Sequence, residues 1–129
     1  MGIDYGGRRV GIAVSESGLL ASPHSVIEND ERMLDRLARV AEDIGADTIV
    51  VGVARRSRST AGEAKFHRFA ERLRQKTCKS VVLWDESHST VEAAERLRHS
   101  GRKSKNDIDM YAAAIILQSY LDHMAGRSS

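Results

Sequence analysis

Apolar positions along the chain follow two different periods, and the change between them divides the chain into strands and helices. The first short apolar runs predict strands at Gly2–Ile3 and Val10–Val14. The Gly6–Gly7 pair between them is expected to form a tight turn, because glycine accepts the positive φ angles of short hairpin loops. The N-terminal stretch is therefore predicted to be a β-hairpin, and Asp4 lies where its first strand is about to end.

Three more strands are predicted from the apolar pattern. Leu19–Ile27 contains Pro23, which belongs on an edge strand or at a bulge. Thr48–Val53 and Val81–Trp84 are continuous apolar runs, which indicate burial on both faces, as in a parallel sheet. The five strands are therefore expected to form one mixed sheet.

Helical spacing predicts four helices, which cover residues 33–44, 60–73, 89–100 and 108–124. Asn106 is expected to cap the last helix, which would place Asp109 in its first turn. The order is βββαβαβα followed by one more helix, which implies parallel crossovers and helices on both faces of the sheet. Residues 1–129 are therefore expected to form a single α/β domain.

The composition fits a globular protein, with 129 residues, 41% hydrophobic and 29% charged. No apolar run is long enough to cross a bilayer, and the N-terminus lacks the pattern of a signal peptide. The single cysteine, Cys78, cannot form an internal disulfide. We therefore expect a cytoplasmic protein with no membrane partner.

Charge is distributed unevenly along the chain. Residues 1–54 carry 5 Lys/Arg against 9 Asp/Glu, whereas residues 55–129 carry 15 against 9. Basic side chains concentrate in two clusters: Arg55, Arg56 and Arg58, and then Arg96, Arg98, Arg102, Lys103 and Lys105. Such clusters suit a phosphate backbone, although a solvated basic surface is the alternative. Ser89 and Thr90, at a predicted helix N-terminus, are candidates for a phosphate contact or for simple capping.

Carboxylates end two of the predicted strands and begin the last helix. Asp4 ends the first strand, Asp85 and Glu86 end the last strand, and Asp109 lies near the helix start. Ligands of open α/β sheets bind beyond the carboxyl ends of the strands, where these acids can meet. Mg²⁺ prefers oxygen ligands, and a pair of such ions can assist phosphodiester hydrolysis. Asp85 and Glu86 point to opposite faces of a strand, and periodicity does not choose between them.

Four blocks of sequence together resemble the YqgF/RuvX family. The blocks are Ile3–Gly6 with Arg9–Val14, then Ile49–Gly52, then Asp85–Ala93, then Ile108–Asp109 with Ala113–Tyr120. They occur in the same order as in the family and extend to about Asp122. The resemblance implies a ribonuclease H-like fold of the retroviral-integrase type, with a five-stranded mixed sheet flanked by helices.

The resemblance also implies a metal-dependent endonuclease. Matched by motif, the catalytic and metal-binding acids would be Asp4, Glu86 and Asp109, with Mg²⁺ or Mn²⁺ as cofactor. The family is described both as processing the 5′ end of pre-16S rRNA and as a Holliday junction resolvase. The expected partner is thus structured RNA or branched DNA, bound by a monomer or homodimer.

The sequence departs from the family pattern in its loops. Residues 53–59 read Val-Ala-Arg-Arg-Ser-Arg-Ser where the family has Leu-Pro-Leu-Asn-Met-Asp-Gly, and Ser87–His88 replaces Arg-Leu. Two other functions stay open at this point. One is a non-catalytic RNA- or ribosome-binding module, and the other is an ATP-using enzyme with Asp4-Tyr5-Gly6 at its first strand, although 129 residues leave no room for a second domain.

Overall fold

The computed structural model describes residues 1–53, 60–85 and 104–126. The helix predicted over residues 89–100 lies outside this part of the chain. The described elements are β1 (Gly2–Tyr5), β2 (Arg9–Val14), β3 (Ser22–Glu28), α1 (Met33–Ile44), β4 (Thr48–Val53), α2 (Thr60–Thr77), β5 (Ser80–Asp85) and α3 (Lys105–Met124). Within the described ranges, no helix is long and apolar enough to span a membrane.

The strands form one five-stranded sheet in the order β3-β2-β1-β4-β5. The pairs β1–β2 and β2–β3 are antiparallel, whereas β1–β4 and β4–β5 are parallel. The predicted mixed sheet is therefore confirmed. Because β1, β4 and β5 run in the same direction, their carboxyl ends lie at one edge of the sheet, and Asp4 lies at that edge.

Helices cover both faces of the sheet. The larger core lies under α1 and α2, where Ile3, Ile49 and Val51 pack with Leu37 and Leu73. The smaller core lies under α3 and is formed by Ala13, Val50, Ala113, Ile116 and Leu117. At the surface, Lys76 of α2 hydrogen-bonds Asp35 of α1 and lowers the pKa of that carboxyl. This exposed pair contributes little to stability, so burial holds α1 and α2 in place.

The hairpin turn closes without positive φ angles. The amide of Gly6 donates to the Arg9 carbonyl oxygen at 3.1 Å. Among the described residues, the glycines with positive φ are Gly18, Gly45 and Gly126, so the expectation for Gly6–Gly7 is wrong. Gly6 is needed for space instead, because a Cβ there would lie 2.5 Å from the Arg9 carbonyl oxygen.

Strand β3 starts later than its apolar pattern predicts. It begins at Ser22, and Leu19 and Leu20 are exposed in the preceding loop. Pro23 lies on this edge strand, opposite Ala13, where the register of β2 and β3 shifts. The predicted edge position of the proline is confirmed, because an edge strand tolerates the missing N–H.

The last helix begins earlier than predicted. Its N-cap is Ser104, whose Oγ accepts a hydrogen bond of 3.1 Å from the amide of Asp107. The expectation that Asn106 caps the helix is therefore wrong. Since α3 starts at Lys105, Asp109 lies in its second turn, beyond the first turn in which the helix dipole favours a carboxylate most strongly.

Replacing Gly45 and Gly7 separately by Ala tests which glycines need their conformation. Gly45 ends α1 with φ 66°, a conformation that side chains disfavour. Gly45→Ala should therefore lower the unfolding free energy of the protein by about 1–2 kcal/mol. Gly7 has a φ that is not positive, and a Cβ added to it would have no atom within 4 Å. Gly7→Ala should therefore be neutral or stabilise by up to about 1 kcal/mol. Urea denaturation of both variants measures the difference, and equal losses would contradict it.

Candidate active site

Asp4 lies on the face of the sheet that α3 covers. In the β1–β2 ladder Asp4 is opposite Gly11, and opposite residues of an antiparallel pair point to the same face. Gly2, two residues before Asp4, faces α3, since a Cβ on it would lie 2.7 Å from the Cβ of Leu117. Alternation along β1 therefore directs Asp4 toward α3 as well.

The backbone of α3 reaches the sheet at Gly11. A Cβ on Gly11 would overlap the carbonyl oxygen of Asp109 and would lie 2.5 Å from its carbonyl carbon. No side chain fits between these two segments, so only glycine allows this approach. Because Gly11 is opposite Asp4, the contact brings Asp109 next to Asp4, although the two residues lie at opposite ends of the sequence.

Asp109 is held by an ion pair with Arg9. The Nε of Arg9 donates to Oδ2 of Asp109 at 2.5 Å, and the side chains are 31% and 16% exposed. Arg9 is two residues before Gly11 on β2 and so shares the face of Asp4 and α3. The site thus combines two acidic side chains and one basic side chain on one face of the sheet.

Trp84 shows which face of β5 belongs to the same site. Its indole Nε1 donates to Ser119 Oγ of α3 at 3.2 Å, and its ring lies edge-on to Tyr120. Val81, by contrast, packs in the core under α1 and α2. The even-numbered positions of β5 therefore share the face of Asp4, and the odd-numbered positions share the opposite face.

Most other residues predicted for the site lie outside the described part of the chain. These are Glu86, Arg55, Arg56, Arg58, Ser89, Thr90, Arg102 and Lys103. Lys105 is described: it is exposed at the first position of α3, one turn before Asp109. That position lies on the same side of the helix as Asp109.

A groove of about 430 Å³ opens beside Arg9. It runs between the hairpin turn, the end of β3 and the start of α3, and Arg8, Glu28 and Asn106 line it. Glu28 is the ladder partner of Arg9 on β3. The groove therefore places further polar and charged groups beside Arg9, the ion-pair partner of Asp109.

The donor atoms suit a hard divalent cation. Asp4 and Asp109 offer carboxylate oxygens, the ligand type that Mg²⁺ and Mn²⁺ prefer. Among residues 1–53, 60–85 and 104–126, no group of three His, Cys, Asp or Glu side chains could hold a metal ion. Asp4 and Asp109 are therefore two candidate ligands, and a metal site built on them would need at least one more ligand from outside these ranges or from substrate.

Arg9 and Gly11 are functional candidates that the residue pattern did not single out. Both belong to the Arg9–Val14 block, but an arginine and a glycine on a strand have many ordinary roles. Register supplies the missing signal, because a hairpin that pairs Tyr5 with Val10 puts Arg9, Gly11 and Asp4 on one face. The position of α3 in the structure then shows that this face contacts Asp109.

Solved structures with a similar backbone identify the fold as ribonuclease H-like. Thermus thermophilus RuvC in complex with a Holliday junction substrate matches with a TM-score of 0.61 and 17% identity, covering 98% of this chain and 94% of that chain. A second Thermus thermophilus RuvC structure matches with a TM-score of 0.54 and 15% identity, covering 98% of this chain and 95% of that chain. The predicted fold class is therefore confirmed.

The sequence comparisons define the family. The model of RuvX, described as Holliday junction resolvase, matches residues 1–123, so the chain belongs to the RuvX family. A relative from Geobacillus kaustophilus is 43% identical, covering 95% of this chain and 96% of its own length, and one from Bacillus cytotoxicus is 39% identical with the same coverage. Both carry the name "Putative pre-16S rRNA nuclease". Family membership makes the protein a nuclease, a hydrolase of phosphodiester bonds whose substrates are nucleic acids.

Gly11→Ala tests the close approach of α3 to β2. The added methyl group would meet the Asp109 backbone, which cannot move aside as a flexible side chain can. We expect a loss of about 1–3 kcal/mol in unfolding free energy, the usual cost of overpacking. Gly7→Ala is the matched control, because its methyl group enters open space. If both variants unfold at the same urea concentration, the contact is not as tight as described.

Proposed function

We propose that this protein is a divalent-metal-dependent endonuclease of the cytoplasm that processes the 5′ end of pre-16S rRNA. The observation that supports this most is the placement of Asp4 and Asp109 on one face of a ribonuclease H-like sheet, held together by the Gly11 contact. The names of the relatives favour pre-16S rRNA over other nucleic acids. The cofactor we propose is Mg²⁺ or Mn²⁺.

Glu86 is our choice for the third acidic ligand. Trp84 is the last residue of β5 on the face of Asp4, and Glu86 lies two positions further along the chain. The motif match leads to the same residue. Asp85 follows the odd-numbered positions, whose earlier members Val81 and Leu83 pack on the core under α1 and α2. A carboxylate at position 86 would bring the number of acids to three.

The roles of the residues follow from their positions. Asp4 and Asp109 would bind the ion, which when bound supplies Lewis-acid polarisation of the scissile phosphate. Asp4 lies on a strand inside the sheet, which limits its movement. Lys105 is exposed one turn before Asp109 and would contact a neighbouring phosphate. The same role is proposed for Arg102 and Lys103, and for Ser89 and Thr90.

Resolution of branched DNA is the second candidate. The family description and the RuvC complex with a Holliday junction favour it. Cutting a junction requires two active sites, so this function needs a homodimer, whereas rRNA processing is possible for a monomer. Mn²⁺-dependent cleavage of a pre-16S rRNA fragment, measured beside a four-way DNA junction, decides between them. Binding without cleavage of either would instead favour a non-catalytic RNA-binding module, and nucleotide hydrolysis alone an ATP-using enzyme.

Neutral replacement of each acid tests the catalytic assignment. Replacing a residue that only supports a metal ligand costs roughly 10- to 100-fold. Asp4→Asn, Glu86→Gln and Asp109→Asn should each lower the single-turnover rate constant by more than this. Each variant removes a negative charge and keeps the side-chain size, so folding should persist. Single-turnover cleavage with Mn²⁺ measures the rate, and circular dichroism checks the fold.

Asp107→Asn is the matched control for Asp109→Asn. Asp107 is an acid on the same helix, and its backbone N–H donates a hydrogen bond to the Oγ of the capping Ser104. Its replacement should leave cleavage within about threefold of wild type, since one charge outside the site is weakly felt in salt. Full activity of Asp4→Asn or Asp109→Asn would refute the proposed site.

The arginines at positions 55, 56 and 58 are proposed to bind phosphates. Replacing all three with Ala should weaken binding and lower the slope of log affinity against log salt by about 2 to 3. The control variant replaces Arg32, Arg36 and Arg39 together with Ala. These side chains are exposed in the α1 region, so their replacement removes the same charge from a different part of the surface. Fluorescence anisotropy across a salt series measures both. Equal slopes for the two triple variants would mean that only net charge matters.

A further inference from the structure

Asp109 has a positively charged partner that the proposed chemistry does not require. Arg9 Nε donates to Asp109 Oδ2 at 2.5 Å, across 100 positions of sequence. The Asp109 side chain is only 16% exposed, so solvent screens the pair incompletely. A hydrogen bond between two ionised groups with this geometry is stronger than one between neutral groups. The pair therefore places a positive charge directly against the Asp109 carboxylate.

A divalent ion at Asp109 would lie close to the Arg9 guanidinium. Two positive charges at such a separation repel, and the repulsion is largest where water is partly excluded. The carboxylates of Asp4 and Asp109 repel each other as well when no cation separates them. Arg9 reduces the repulsion between the two carboxylates, but its own charge would repel a divalent ion.

We propose that Arg9 is a charge-balancing residue of the active site, which neutralises Asp109 in the absence of a divalent ion and competes with that ion for the carboxylate. This inference rests on the proposed function, because it assumes that Asp109 is a metal ligand. Arg9 is a positioning residue in this scheme, since it acts through Asp109 and has no proposed contact with the reacting phosphate.

The surroundings of Arg9 provide a second position for its side chain. Glu28 is opposite Arg9 in the β2–β3 ladder and is exposed, and both residues line the groove beside the site. Opposite residues in an antiparallel pair have Cβ atoms about 4.5–5.5 Å apart, within reach of an Arg–Glu pair. The guanidinium therefore has an acceptor on the groove side when it leaves Asp109.

Divalent-ion affinity distinguishes competition from a purely structural ion pair. Arg9→Gln keeps much of the side-chain length and removes the charge. Arg39→Gln, at an exposed position of α1 on the opposite face of the sheet, is the matched control. Calorimetric titration with Mn²⁺ should give a Kd about three- to tenfold lower for Arg9→Gln than for wild type, because a repelling charge is gone. Arg39→Gln should stay within about twofold of wild type, since its charge is distant and screened.

Thermal unfolding supplies the second measurement. In EDTA, Arg9→Gln should melt below wild type because the Asp109 carboxylate has lost its partner. Mn²⁺ should then raise the melting temperature of Arg9→Gln by more than that of wild type, since a tighter ligand stabilises the folded state more. A variant that folds only with Mn²⁺ would support the proposal equally.

The outcomes separate this inference from the proposed function. If wild type binds Mn²⁺ and cleaves RNA, but Arg9→Gln binds Mn²⁺ no more tightly, the competition is refuted and the nuclease stands. If wild type binds no Mn²⁺, both are refuted. If Arg9→Gln does not fold in either buffer, Arg9→Lys decides: it keeps the charge and should bind Mn²⁺ within about twofold of wild type. Binding more than about tenfold weaker would show that the guanidinium orients the ligand instead.

Discussion

The backbone of α3 lies directly against β2 at Gly11, and the arrangement of the candidate site depends on this contact. A Cβ there would overlap the carbonyl oxygen of Asp109, so the helix can approach the strand only because that side chain is absent. Asp4 is opposite Gly11 in the ladder, and the contact therefore fixes the separation of the two acids. The smaller core, which contains Ala13, Ala113 and Leu117, packs the rest of the helix against the sheet.

Electrostatics at the site follows from where the helix begins. Since Ser104 caps α3 and Asp109 is in the second turn, the helix N-terminus offers Asp109 less stabilisation than a first-turn position would. Arg9, on the neighbouring strand, provides the opposing charge instead. A counter-charge from a side chain differs from a helix dipole in one respect, because a side chain can move away when another cation arrives.

The sheet could be predicted from the sequence because each strand carries its own signal. The runs at Thr48–Val53 and Val81–Trp84 are apolar on both faces, and Pro23 identified the edge strand. Local choices between equivalent residues could not be predicted. Ser104 and Asn106 are both good capping residues, and sequence alone does not show which one the helix uses. Glycines carry the same ambiguity, since Gly6 and Gly11 provide space whereas Gly45 provides a backbone angle.

The first and last elements of the described fold pack together, and this has a consequence for synthesis. The hairpin β1–β2 emerges from the ribosome early, but its α3 face stays uncovered until residues 105–124 have been made. Contacts between such distant parts of a chain form late in folding. Arg9 and Asp109 meet only at that stage, so the candidate site has no fixed arrangement in a chain whose residues 105–124 have not yet been made.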